Sequence, residues 1–367
     1  MSSGNNLRFK RITIIWASIG IAVFASMTGY FYTVISDYSA SADARHERRI
    51  NPNMFEKGKT APDDQNSKLE SADIATVSAG VYIDRIYDFR FKENQWKVDF
   101  YVWFNWENET ISPGDNFQII NGTILSKAKL EERKNGSENY SLYRVRALLT
   151  KFFNPRLFPN DRHLLTLGIE HGSMSEKELR FVADEDGSAI SSRVKVSGYK
   201  IKKGRLVVKR HAYKTIRGDQ KLLGEEKPVF SQLLYGIWIK RGGWGYYLRL
   251  HIGLFAAVIV AMVSFMATDL TSQQRFAVGA FFSSITAAYL AMSQTPNRAA
   301  LSLGDAVNMM GIIAVTIAIL HSVVIGVLKG TPDVSASEIK RFNRLFLCIF
   351  AGGYLVFNLL VPLASLA

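Results

Sequence analysis

The last third of this chain is almost wholly apolar, and that constrains its fold more than any other feature. A helix needs about 20 mostly apolar residues to cross the hydrocarbon of a bilayer. Four stretches meet that length: YYLRLHIGLFAAVIVAMVSFMA (246–267), FAVGAFFSSITAAYLAMSQ (276–294), residues 304–328, and LFLCIFAGGYLVFNLLVPLASLA (345–367). A fifth, ITIIWASIGIAVFASMTGYFYTVI (12–35), follows Arg8, Lys10 and Arg11 near the start. It exceeds the apolar core of about 7–15 residues found in a cleaved signal, so it reads as an uncleaved signal anchor.

Charge orients these spans. The short segments 1–11, 268–275 and 329–344 carry Arg8, Lys10, Arg11, Arg275, Lys329, Lys340, Arg341 and Arg344, whereas 295–303 carries Arg298 alone. Lys and Arg stay on the cytoplasmic side. The pattern predicts an inner N-terminus, an outer C-terminus and an exported segment between the first and second spans. In a bacterium that places the protein in the inner (plasma) membrane, with the exported part periplasmic or extracellular. The net charge of +13 would otherwise suggest nucleic acid. Here the apolar runs are spans and the basic residues form no single stripe, which argues against that partner. Cys348 is the only cysteine, so no intrachain disulfide can form.

The exported segment alternates in the manner of strands. VYIDRIYDFRF and WKVDFYVWFNW are β-branched and aromatic with KEN between them as a turn. Further strand-like runs fall at 117–125, 140–152, 163–169, 179–183, 194–202, 204–216 and 229–239. Short strands with frequent turn signals predict an antiparallel β-sandwich. The expected organisation is an N-terminal tail and single transmembrane helix (1–36), a polar tether (37–76), an extracellular β-sandwich (77–243) and a four-helix transmembrane bundle (244–367).

Chemistry-bearing constellations are missing from the sequence pattern. The six histidines, His46, His163, His171, His211, His251 and His321, show no metal-ligand spacing. There is no G-x-S-x-G and no Gly-rich phosphate loop. ADEDG (183–187) lacks the closing Glu of a calcium loop and reads as a solvated turn. The reading is therefore of a non-enzyme without metal or cofactor. In the 276–294 helix, Gln273, Ala277, Ser284, Ala288, Ala291 and Thr295 recur at helical spacing as a small, weakly polar stripe. Such a stripe serves close helix packing or lines a water path, and periodicity alone does not separate the two.

The chain resembles a bacterial pentameric ligand-gated ion channel, the prokaryotic branch of the Cys-loop receptor superfamily, over about residues 77–367. GVYIDRIYDF and WKVDFYVWFNW resemble the family's opening strand pair. FFNPRLFPNDRHLLTL resembles its signature loop, with Phe158, Pro159, Asn160 and Asp161 as the Phe-Pro-x-Asp element. WIKRGGWGYYLRL resembles the last strand entering the first channel helix, with Arg241 at the basic position. RFAVGAFFSSITAAYL and TPNRAALSLGDAV resemble the pore helix, its outer loop and the start of the next helix, with Asp305 matching. Departures are the missing loop cysteines, the missing Trp-x-Pro segment between Trp106 and Tyr140, and no proline in GYYLRLHIGLF. TSQQRF shows neither the Glu of cation-selective members nor the Pro-Ala of anion-selective ones, so charge selectivity stays open.

The resemblance implies a homopentamer in a lipid bilayer that passes inorganic ions in response to a small-molecule agonist or protons. Gln273, Ala277, Phe281, Ser284 and Ala288 are the implied pore-lining positions. Phe158, Pro159, Asp161, Arg241 and Pro296 are the implied coupling residues. Asp161 is expected to pair with Arg241, and the 153–163 loop and the Lys92–Asn94 turn to press on the outer loop 295–304. An agonist would bind between neighbouring sandwiches near Trp103, the 171–178 turn and 214–228. The alternative is a non-conducting membrane receptor or scaffold that keeps the channel fold.

Overall fold

A computed structural model describes residues 2–52, 74–107, 110–135, 138–213, 215, 229–295, 300–331 and 334–366. Its elements run α1 (Ser2–Ile50), β1 (Ala75–Arg90), β2 (Gln95–Trp106), β3 (Phe117–Ile119), β4 (Gly122–Asn135), β5 (Glu138–Thr150), β6 (Arg162–His171), β7 (Leu179–Ala183), β8 (Ala189–Ile190), β9 (Tyr199–Ala212) and β10 (Val229–Arg241). The chain then enters α2 (Gly243–Ser264), α3 (Leu270–Gln294), α4 (Leu303–Lys329) and α5 (Ala336–Ala364). Two compact units result. One comprises Met1–Ser41, Asn154–Asp161 and Gly242–Ala367, the other Ala42–Phe153 and Arg162–Arg241.

The second unit is β-rich and holds two sheets. One is ordered β4-β5-β2-β1-β7 with β8 also on β1, the other β3-β6-β10-β9. Most neighbours are antiparallel, but β7 and β8 pair parallel with β1, which amends the all-antiparallel expectation. Alternation builds the core: β5 buries every second residue from Asn139 to Leu149. Val81, Trp96, Phe100 and Val145 of one sheet join Leu165, Leu167, Leu233 and Ile237 of the other in one hydrophobic cluster. Each such side chain contributes about 1.5–3 kcal/mol by leaving water.

Three expectations need correction. The run expected at 117–125 is instead a short strand, β3, and the start of a long one, β4, that reaches Asn135. Its KAKLEERKN portion is polar on both faces because β4 is an edge strand, and edge lysines guard an unpaired edge. Separate strands at 194–202 and 204–216 are instead one strand, β9, with Gly204 inside it. The polar tether is helical as far as Ile50, because no Gly or Pro interrupts the chain between Ile35 and Pro52; residues 53–73 lie outside the described ones.

The end of α1 packs on the outer face of the second sheet. Ile50 is fully buried against Leu164 and Val207. Gly236 makes room, since a Cβ there would meet Ile50 Cδ1 at 2.4 Å. Lys209 Nζ donates to the Arg48 carbonyl, and Arg162 pairs with Asp43.

Among the described residues five helices are long and apolar enough to cross a membrane, α1 among them. Their starts are legible: Asp269 caps α3, and Ser302 with Asp305 and Ser335 with Glu338 form capping boxes on α4 and α5. α3 packs between α2 and α4. α1 lies along α5 through aromatic pairs Phe9–Phe342, Trp16–Phe346, Phe24–Phe350 and Phe31–Phe357, with centroids 5.8–6.3 Å apart. Numbers rise together on both helices, so they run parallel. Gly353 admits the Phe24 ring, which a Cβ would meet at 2.5 Å.

Asp99 is buried in β2 and accepts from Arg144 Nε at 3.1 Å and Nη2 at 2.9 Å, with Arg85 and Arg146 at 3.3 and 3.5 Å. Burial opposes its charge, but the three guanidiniums outweigh it and hold the carboxyl below its ordinary 3.8. A depressed folded-state pKa contributes stability above the unfolded value and loses it as the pH falls through the folded one. The guanidiniums are partly exposed, so Asp99→Asn is expected to cost about 1–3 kcal/mol at neutral pH, between the exposed-pair and buried-pair limits. That deficit shrinks below pH about 4. Denaturant unfolding of the full chain in detergent, followed by circular dichroism across pH, measures both.

Candidate functional site

The first amides of a helix have no partner within it, and at the head of α4 all four find one. Ser302 N donates to Asp305 Oδ2 at 2.8 Å and Asp305 N to Ser302 Oγ at 3.0 Å, closing the capping box. The two amides between them reach a different part of the chain. Leu303 N donates to the Arg156 carbonyl at 2.8 Å, and Gly304 N to the Phe158 carbonyl at 2.9 Å.

Arg156 and Phe158 lie in the FFNPRLFPNDRH loop between β5 and β6, whose residues Asn154–Asp161 belong to the helical unit. Proline stiffens this stretch by fixing φ at 155 and 159. Phe158 N donates to the Pro155 carbonyl at 2.8 Å and Asn160 N to the Leu157 carbonyl at 2.7 Å, folding the loop into successive tight turns. Leu157 joins the core shared by the helices, and Phe158, 1% exposed, meets Tyr246 edge-on at 6.0 Å. Asn160 Nδ2 donates to Ser365 Oγ at 3.0 Å, and the Arg156 guanidinium lies 4.9 Å over Tyr38. Pro159 and Asp161 are buried as well.

Arg241 belongs to the β-rich unit. Its guanidinium stacks over Tyr199 at 4.4 Å and Phe91 at 5.3 Å and donates to the Tyr199 hydroxyl. Phe91, Phe153, His163 and Tyr199 form one ring cluster beneath it. Asn94, at φ 58°, orients this cluster by accepting from Phe153 N at 2.8 Å through its side chain. Asp161 belongs to the helical unit and Arg241 to the β-rich one.

The α3 residues expected to line a pore are buried or half-buried in this chain. Gln273, Ala277, Ser284 and Ala288 are 1, 0, 0 and 3% exposed, and Phe281 packs against the helical core. With Ala280 and Ala291 they form the face of α3 turned into its own bundle, where Gly253 and Ala287 approach closely. The small stripe is a packing stripe. The opposite face carries Arg275, Gly279, Phe282, Thr286, Tyr289 and Ser293, all exposed.

Trp103 is positioned by packing. Its ring occupies the space over Gly80, where a Cβ would meet it at 2.1 Å, and its Nε1 donates to Asp184 Oδ2 at 2.9 Å. In the 171–178 turn, His171 Nδ1 accepts from Met174 N at 2.9 Å. Pro296 lies outside the described residues, as do 214 and 216–228.

Sequence reasoning missed a chain of polar contacts across three helices. Trp16 Nε1 of α1 donates to His321 Nδ1 of α4 at 3.1 Å, and His321 Nε2 lies 2.9 Å from Asn343 Oδ1 of α5. A polar His321 inside an apolar run was the available signal, but Asn343 stands in the charged segment before the last run and nothing in the spacing pairs them.

The sequence matches no known family model and no curated protein. Fold and site define a class no finer than a chain with several membrane-length apolar helices and a two-sheet β-rich unit.

Phe158→Ala empties a fully packed site and is expected to destabilise the helical unit by about 3–5 kcal/mol. Phe152→Ala, at 60% exposure, should change stability by less than about 0.5 kcal/mol. Thermal unfolding of the detergent-solubilised protein compares them.

Proposed function

We propose that this chain is one subunit of a homopentameric ion channel whose two sheets form an outer sandwich that controls a pore. The observation that carries the reading is the geometry of α3. It is flanked by α2 and α4, so only the face opposite them is free to meet copies of itself around an axis. That face repeats at steps of four, three, four, three and four: Arg275, Gly279, Phe282, Thr286, Tyr289, Ser293. It mixes polar, small and aromatic groups, unlike a surface made for lipid tails. The parallel run of α1 and α5 supports a topology in which every helix crosses once.

Gating then works through the loop. A stimulus on the sandwich moves the 153–163 segment. Two backbone hydrogen bonds pass that movement to the head of α4, and α3 follows. Phe282 and Tyr289, 65 and 70% exposed in the single chain, supply rings of aromatic side chains that close the path by excluding water. Five copies of Arg275 near one mouth favour anions over cations.

The non-conducting alternative draws on the same two aromatics, which would block a pore that never opens. Reconstituted protein recorded in planar bilayers separates them. In a Cys348→Ser background, Thr286→Cys is expected to lose at least about 90% of its current on reaction with a water-soluble thiol reagent, as a modified lining position should. Ser284→Cys should keep its current. Arg275→Gln should shift the reversal potential toward cation permeation. Absence of current in wild type, in Phe282→Ala and in Tyr289→Ala would decide for the scaffold reading, and particles without fivefold symmetry would remove the channel reading altogether.

A further inference from the structure

The polar chain Trp16–His321–Asn343 has a direction. An indole N–H donates and cannot accept, so Trp16 requires a lone pair on His321 Nδ1. The ring is then neutral with its proton on Nε2, and that proton goes to Asn343 Oδ1. The amide orientation of Asn343 is set in turn, leaving its Nδ2 to face the other way with two N–H groups. Asn343 is 7% exposed, and among the described residues nothing accepts from that Nδ2. That nitrogen stays accessible rather than sealed in the core, so an acceptor from outside the chain can reach it.

Asn343 stands on the wall of a cavity of about 660 Å³ formed by the last turn of α2, the end of α4 and the first turns of α5. Positions 336, 339, 340, 343, 344 and 347 present one face of α5 to it at helical spacing. Lys329, Lys340 and Arg344 also line it, and Lys340 and Arg344 have no ion-pair partner among the described residues. Phe265, Ile339 and Leu347 make the remaining wall apolar. Three cations and an amide donor at one end of membrane-length helices, beside an apolar cleft, suit a ligand with an anionic, acceptor-rich head and a hydrocarbon tail.

We propose that this cavity binds an anionic glycerophospholipid of the surrounding leaflet. The phosphodiester sits among Lys329, Lys340 and Arg344, a phosphate or ester oxygen accepts from Asn343 Nδ2, and an acyl chain runs along Phe265 and Leu347. Because Asn343 also holds His321, the lipid closes a hydrogen-bonded relay that reaches α1 through Trp16. The site needs only that these helices lie in a bilayer. It stands or falls independently of ion conduction.

The test uses the full chain in detergent, with dioctanoyl phosphatidylglycerol as probe and dioctanoyl phosphatidylcholine and inorganic phosphate as comparators. Native mass spectrometry reads binding and thermal unfolding reads the stabilisation. Phosphatidylglycerol is expected to bind and raise the unfolding temperature, with phosphatidylcholine and phosphate much weaker. Lys340→Gln with Arg344→Gln, both exposed and so harmless to folding, should weaken phosphatidylglycerol about tenfold or more. Arg341→Gln, on the same helix but outside the cavity, should leave it unchanged. Asn343→Asp keeps the acceptor for His321 and removes the free donor, and it should weaken the lipid further. Equal binding of the two lipids, unchanged binding in the double variant, or phosphate competing as well as the lipid would each overturn the proposal.

Discussion

Two hydrogen bonds, from Leu303 N and Gly304 N to the carbonyls of Arg156 and Phe158, hold the most unusual part of this structure together. The head of a helix carries donors that its own backbone cannot satisfy. At α3 an aspartate and at α5 a serine meets that need locally. At α4 a capping box covers the outer two amides, and a loop from between two β-strands covers the inner two. The bonding is backbone to backbone, so it depends on the loop's path more than on its side chains. Pro155 and Pro159 then matter because they fix that path, and Leu157 and Phe158 because they are anchored in the helical core. Any displacement of the loop must carry α4 with it or leave two amides unpaired.

The α3 helix shows how a tertiary constraint chooses between two uses of one pattern. Alanines and a serine at positions 277, 280, 284, 288 and 291 allow α2 and α4 to approach closely. A water-lined wall would use the same small residues at the same period. What distinguishes the two is which side of the helix has neighbours in its own chain. Once α2 and α4 occupy the small face, the bulkier one with Arg275, Phe282 and Tyr289 is left outward, and the functional proposal moves with it.

α1 is integrated rather than appended. Its aromatic pairs run the length of α5, Gly353 is shaped to receive Phe24, and Trp16 supplies the donor that sets the tautomer of His321. Its far end lies on the second sheet through Ile50. A polar relay inside apolar helices persists only when each member is satisfied. Asn343 completes the relay through its oxygen and leaves its amide nitrogen accessible to what lies beyond it.

Much of this was legible in order. Apolar runs of bilayer length announce helices wherever they occur, because unsatisfied backbone groups are not tolerated in hydrocarbon. Period-two alternation announces strands, because burial on one face selects every second residue. The capping boxes at Ser302 and Ser335 could be read from spacing alone. The edge strand β4 was obscured because an edge has little to bury, and the helical end of α1 because its charged residues resemble a solvated tether. Local periodicity, set by the 3.6- and 2-residue repeats of the backbone, was thus determined by the sequence itself. Which face of α3 is buried, which carbonyls complete α4, and which of three distant polar residues meet were decided only by packing, since each depends on partners far away in the chain whose approach no local spacing encodes.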